Sequence, residues 1–389
     1  MQGFTYHVPT EVVFGAQAED QLGDLIKKRG ASRVLLVYGE GSVVKSGLLD
    51  KLCGILTATG IEYRKHGGAT PNPHLSFARD GVKAALDFKA DLILAVGGGS
   101  AIDAAKGIAH GAKNPDIDIW KFWTREEIVT KSLPIGVVLT ISAAGSETSN
   151  SAVLTNTETG KKRGLATEFN RPAFAVLNPE LTFSLPKYQI ACGIADIMMH
   201  TMERYFVAPD VPGADMTDEI AEGLLRTVIK NGLVAMENPH DYHAMSELMW
   251  CGSLSHNSIT GLGRPMDFSV HQMGHELSGR FDVAHGASLT TMWGSWARYC
   301  LDVNPARFVQ YANKIWGAKT DVEGIERTES YFRSIGMPTC FTELGIGVQD
   351  DTALDEMADS CVFYGQRQVG TFKTLVKENI YEIYKSANR

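Results

Sequence analysis

Up to about residue 185 the chain alternates short, wholly apolar runs with stretches in which apolar positions recur at helical spacing. The runs RVLLVYG (33–39), DLILAVG (91–97), IGVVLTIS (135–142) and AFAVLNP (173–179) predict buried strands. Between the first two, LSFARDGVKAALDFKA carries Phe77, Val82, Ala85 and Leu86 at helical spacing. Apolar strands alternating with amphipathic helices predict βαβ units and a parallel sheet covered on both faces. The stretch SAVLTNTETGKKRGLA (151–166) departs from this, because two polar-interrupted runs flank Thr159-Gly160. It predicts a hairpin appended to the sheet. Near the start, FTYHVPTEVVFG alternates polar and apolar residues around Pro9 and predicts an edge ribbon, open to pairing with a second chain.

After Pro186 the β-branched runs give way to Ala, Leu, Met and aromatic residues at a spacing of about 3.6. Helices are expected over 217–236, 241–259, 304–317 and 371–387. The predicted organisation is therefore an α/β domain over 1–185 followed by an all-helical domain over 186–389.

Composition narrows the partners. Of 389 residues, 21% are charged and 44% hydrophobic, an ordinary globular balance. A net charge of −8 with no Lys/Arg cluster argues against nucleic acid or an anionic membrane surface. The six cysteines are scattered without a CxxC pair and read as reduced thiols. The opening residues show no secretory pattern, and no apolar run has the length of a membrane span. A cytoplasmic enzyme is expected.

Two patterns carry chemistry. Gly97, Gly98 and Gly99 stand where a predicted parallel strand meets a helix, the place where α/β sheets bind ligands. Backbone N–H groups and the positive helix end beginning near Ser100 suit a phosphate there. YGEGSVVKSG (38–47) and LTISAAGSET (139–148) repeat the small, polar strand end, so three such ends on one sheet suit a dinucleotide. The GxGxxG fingerprint is absent, since Val44 stands where its third glycine belongs, and no GxxxxGK[ST] loop occurs.

In the second half, Asp196 and His200 lie four residues apart, as do His271 and His275, and His285 follows ten residues later. Four-residue spacing puts each pair on one helix face. A carboxylate and imidazoles in such geometry suit Zn²⁺ or Fe²⁺. HELSG is not a protease signature, because Gly279 occupies the place of the second histidine of HExxH.

Together AVGGGSAIDAAK, YGEGS, PNP, VLTISAAGSE, ADIMMHTMERYF and HQMGHELSGRFDVAHG resemble the iron-containing (group III) alcohol dehydrogenases over essentially the whole chain, and within them the butanol dehydrogenase branch. The resemblance implies an N-terminal Rossmann-like α/β domain and an all-α C-terminal domain, the architecture shared with dehydroquinate synthase. It implies a homodimer that transfers hydride between NAD(P)H and a small aliphatic aldehyde or alcohol. The implied metal ligands are Asp196, His200, His271 and His285, with His275 the non-ligand histidine near the nicotinamide. Gly98, Gly99 and Ser100, with Gly97, would hold the pyrophosphate. Asp103, Thr140 and Lys162 would line the cofactor path, Asp103 also serving the chemistry, and Gly41, Ser42 and Asn72 match further cofactor-contacting positions. The family branch often has threonine at Ala144 and glycine at Glu40.

Glu40 follows the first predicted strand, where a carboxylate can accept hydrogen bonds from a ribose 2′-OH and would repel a 2′-phosphate. It predicts NAD(H) in preference to NADP(H). Three other readings stay open: polyol oxidation of the glycerol dehydrogenase kind, a metallohydrolase with a nucleotide substrate, and a nucleotide sensor without turnover. Dehydroquinate synthase chemistry would need extra basic residues around the ligands, and no such cluster occurs there.

Overall fold

The computed structural model describes residues 1–39 and 41–389, so the expectation attached to Glu40 lies outside the described residues. Among the described residues eight strands form: β1 (Glu11–Phe14), β2 (Arg33–Tyr38), β3 (Glu62–Gly67), β4 (Leu92–Gly97), β5 (Ile135–Leu139), β6 (Ser151–Asn156), β7 (Lys161–Ala166) and β8 (Phe174–Leu177). Six of them make one parallel sheet in the order β1-β8-β5-β4-β2-β3. Successive side chains of a strand point to opposite faces. Along β2, β4, β5 and β8 both faces are dry: Leu35, Val37, Ile93, Ala95, Val137 and Ala175 join one core, while Val34, Leu36, Leu92, Leu94, Val138 and Val176 join the other. That is why these strands read as unbroken apolar runs.

The hairpin forms, but β6 and β7 make an antiparallel sheet of their own and do not extend the six strands. The Leu75–Phe88 helix buries Leu75, Ala78, Gly81, Ala85 and Phe88, with Phe77 and Val82 half-buried. Leu86 lies off that stripe and is exposed, since Leu75, Ala78, Val82 and Ala85 already complete a three-four repeat toward the sheet.

The described residues divide into two compact units. The sheet-bearing unit comprises His7–Pro186 and Pro239–Ser253, the latter anchored by Met249 in the sheet's core. The helical unit comprises Met1–Tyr6, Lys187–Asn238 and Leu254–Arg389. Its interior is aromatic: Trp293, Trp296, Phe206, Phe308 and Tyr311 are buried, with Phe206 and Phe308 ring centres 4.6 Å apart. Helices run over Asp215–Glu237, Tyr242–His256 and Pro305–Trp316, close to the expected spans. The last helix is shorter than expected and begins only at Lys377. Upstream, Val369 and Leu375 exchange backbone hydrogen bonds, and the N–H groups of Thr371 and Phe372 bond to Asp267. No helix among the described residues is long and apolar enough to cross a membrane.

Two glycines set the helix packing that matters below. A Cβ on Gly286 would stand 2.2 Å from the Cys192 carbonyl oxygen, so only glycine lets the His285–Cys300 helix lie this close to the Lys187–Tyr205 helix. A Cβ on Gly274 would meet Leu289 and Ser288 at 3.0 Å, which draws the Ser269–Phe281 helix onto the same partner.

Candidate metal centre

Three helices of the helical unit each aim a side chain at one point. The Lys187–Tyr205 helix supplies Asp196 and, one turn on, His200; the Ser269–Phe281 helix supplies His271; the His285–Cys300 helix begins with His285. Asp196, His200 and His271 are buried, and one donor atom from each lies within 4.8 Å of the others. Asp196 Oδ1 is 3.5 Å from His200 Nδ1, 3.6 Å from His271 Nε2 and 3.8 Å from His285 Nε2. Among the described residues, Asp196 Oδ1, His200 Nδ1 and His271 Nε2 find no hydrogen-bond partner. An unsatisfied buried polar atom costs about 1–3 kcal/mol, so three together call for a shared partner. Ligand atoms about 2.0–2.2 Å from a tetrahedral ion stand roughly 3.3–3.6 Å apart. The donors fit a divalent cation in spacing and in kind.

Glu203 orients one of them. Its Oε1 accepts from the His271 backbone N–H at 3.1 Å, and its Oε2 accepts from His271 Nδ1–H. With the proton held on Nδ1, Nε2 turns its lone pair to the centre. Burial drives the His200 pKa well below its ordinary value, with the neighbouring His256 and His271 adding to it. Burial also opposes protonation of His271, yet Glu203 and Asp196 outweigh it and raise its pKa to about 9. The same two carboxylates favour positive charge at the centre, whether a proton or a metal ion carries it. His275 stacks on His285 with ring centres 5.4 Å apart and stands 6.3 Å from His271.

Glu203 escaped the sequence reading. Asp196, His200 and Glu203 recur at i, i+4 and i+7 on one helix face, which is the signal that finds it.

The sheet-bearing unit holds the other expected residues. Gly97 ends β4 with φ +154°, and the helix Gly99–Lys113 follows with Ser100 in its first turn. A Cβ on Gly98 would meet Ile141 Cγ2 at 2.1 Å, and one on Gly99 would meet Ala144 Cβ at 3.2 Å. These glycines therefore admit the chain following β5. Thr140 ties to this turn through its N–H to the Gly97 carbonyl, 3.1 Å. Gly41 precedes the short helix Ser42–Lys45, and Ser42 and Thr140 line a pocket of about 450 Å³ with Phe183 and His240.

Lys162 Nζ donates to Asn72 Oδ1 at 2.9 Å, joining β7 to the loop after β3. Asp103 accepts from Ser146 Oγ at 2.6 Å and from the Val153 N–H at 2.9 Å, so both its oxygens are engaged. Beneath it the fully buried Lys106 donates to Ser146 and Ser151 carbonyls at 2.8 and 2.7 Å. Burial lowers the Lys106 pKa to about 8. Asp103 and Lys106 thus knot the Ser146–Ser151 loop to the glycine-turn helix. Lys106, one turn after Asp103, was not singled out from the sequence.

Comparison with known proteins is consistent across the chain. Residues 9–179 match the model of the iron-containing alcohol dehydrogenases, and residues 190–388 that of the family's C-terminal region. The chain is 40% identical to NADH-dependent butanol dehydrogenase A of Clostridium acetobutylicum, covering all of both proteins. It is 33% identical to the NADPH-dependent aldehyde reductase YqhD of Escherichia coli, again over the whole of both. The crystal structure of NADH-dependent butanol dehydrogenase A from Thermotoga maritima superposes with a TM-score of 0.95 at 34% identity, covering 100% of this chain and 99% of that one.

Proposed function

The chain belongs to the iron-containing alcohol dehydrogenase family, and from that premise we propose that it reduces a small aliphatic aldehyde to its alcohol, butyraldehyde to butanol in type, with NADH and a divalent ion. The observation that carries this reading is the convergence of Asp196 Oδ1, His200 Nδ1 and His271 Nε2, all buried and all without a hydrogen bond among the described residues. In this reading Asp196, His200, His271 and His285 hold the ion.

A divalent ion supplies Lewis acidity toward the substrate oxygen, and the nicotinamide supplies the hydride. The chain's own residues do the rest. Glu203 keeps the His271 proton on Nδ1, so that Nε2 stays available to the ion. The burial of Asp196, His200 and His271 keeps bulk water from that side. His275, stacked on His285, moves the proton that the new hydroxyl needs inward from solvent. Gly98, Gly99 and Ser100 bind the pyrophosphate by backbone N–H groups at a helix start. Asp103 acts on the cofactor through the loop that it anchors. Fe²⁺ and Zn²⁺ both accept this ligand set.

The preference for NADH rests on Glu40, and it is supported by the relatives named NADH-dependent at 40% and 36% identity. The NADPH-dependent relative at 33% sets the contrast. A homodimer assembled along β1 is supported by that strand's place at the edge of the sheet. A cytoplasmic location is supported by six free cysteines.

The deciding experiment purifies the protein without added metal, measures bound iron and zinc, and follows NADH and NADPH oxidation with butyraldehyde. About one equivalent of metal and faster turnover with NADH are expected. Full activity in metal-free protein would overturn the centre; faster turnover with NADPH would overturn the role of Glu40.

A further inference from the structure

We infer that Asp267 is a positioning residue for the metal centre: a buried carboxylate that clamps the start of the Ser269–Phe281 helix so that His271 meets Asp196. The inference rests on the metal-binding reading above.

Asp267 is only 6% exposed. Its Oδ1 accepts from the Ser269 N–H at 2.9 Å and from the Ser269 hydroxyl. Its Oδ2 accepts from the N–H groups of Thr371 and Phe372 at 2.8 and 2.7 Å. Its own N–H donates to the Glu203 carbonyl at 2.9 Å. All four donors to the carboxylate are neutral, and three are backbone amides. A buried charge satisfied this way is costly to hold, and what it secures is backbone geometry. Three separate segments meet on one residue: its backbone N–H holds the end of the Asp196-bearing helix, and its carboxylate joins the start of the His271-bearing helix to the chain before the last helix.

The contacts close a ring. The Glu203 carbonyl holds Asp267, Asp267 holds Ser269, the helix runs from Ser269 to His271, and His271 returns to the Glu203 carboxylate. Any rotation of the helix start therefore moves His271 Nε2 relative to Asp196 Oδ1. Two further residues shape the clamp. Phe268 adopts φ +58°, a conformation that phenylalanine takes only when its surroundings force it. Its ring then lies 5.2 Å from that of His271 and 6.2 Å from that of His200, with the Arg204 guanidinium 4.7 Å above. Gly370 takes φ +85°, and a Cβ there would stand 3.0 Å from Asp267 Oδ2 and 2.8 Å from the Lys373 carbonyl. The glycine leaves room for the carboxylate.

The test strips the full-length protein of metal and titrates it with Co²⁺, whose visible absorption reports ligand geometry. Asp267→Asn keeps the size of the side chain and removes its charge. It is expected to weaken Co²⁺ binding about 10–100-fold, the range for groups that orient a ligand, and to change the absorption band. Gly370→Ala, which crowds the same carboxylate, should shift the band in the same way. Glu343→Ala removes hydrogen bonds to Arg333 and Thr339, none of them on a helix that carries a proposed ligand, and controls for lost stability. Wild-type affinity and an unchanged band in Asp267→Asn would overturn the inference, as would equal weakening in Glu343→Ala. A wild type that takes up no Co²⁺ would overturn the metal centre itself, and the clamp with it.

Discussion

Single side chains in this protein do work that a composition count would miss. His271→Ala removes one donor from a buried set, so metal content and turnover should fall together, read by elemental analysis and by NADH oxidation. Glu203→Gln leaves every proposed ligand in place but no longer fixes the His271 tautomer, and metal affinity should drop about 10–100-fold. His110 offers a test that does not involve the metal. It is buried, with Nε2 on Asn170 Oδ1 at 2.8 Å and Nδ1 on Ser132 Oγ at 2.9 Å. Burial chiefly, with Lys106 adding and Asn170 opposing, lowers its pKa to about 4. The unfolded chain takes up this proton near the ordinary 6.5, whereas the folded chain does so only near 4. Stability from this residue is thus complete above pH 6.5 and declines as the pH falls toward 4, by about 3 kcal/mol over the interval. Urea midpoints at several pH values should show that slope, and His110→Asn should flatten it.

Among the elements, the glycine turn after β4 serves packing and, in the proposed function, ligand approach as well, and the two can be separated. Gly98→Ala places a methyl against Ile141 and should cost about 1–3 kcal/mol by overpacking, while raising the KM for NADH. Adding Ile141→Ala opens the space and should restore part of the stability. The KM should stay high if the backbone must approach a phosphate; recovery of both would make the turn a matter of packing alone. β4 and the strands beside it, β2 and β5, were legible because a parallel sheet buried on both faces leaves unbroken apolar runs. β3 was not: at the sheet's edge it reads Glu62, Tyr63, Arg64, Lys65, a charged pattern with no apolar run. The Asp196/His200 and His271/His275 pairs were legible through helical spacing. Glu203 was not, since a lone glutamate on a helix ordinarily marks a solvated face, and here it lies inside. The start of the last helix was obscured in the same way, because residues 371–376 carry a helical pattern yet Asp267 claims two of their amides.

At the scale of the whole molecule, chelation should abolish turnover and lower the thermal midpoint while far-ultraviolet circular dichroism stays close to native, because each unit has a hydrophobic core of its own. Sedimentation should give twice the mass of one chain, with β1 at the contact; a single-chain mass would remove that edge from the assembly. The burial of Asp196, His200 and His271, at 3%, 5% and 5% exposure, also has a consequence for time. An ion held there would have to break with these buried donors after leaving the more exposed His285, so its exchange should run slowly beside catalysis. Enzyme folded with zinc should therefore keep zinc through many turnovers in a solution rich in iron. A chase with isotopically labelled zinc would measure that retention directly. The metal that each molecule carries would then be a record of what was abundant when it folded.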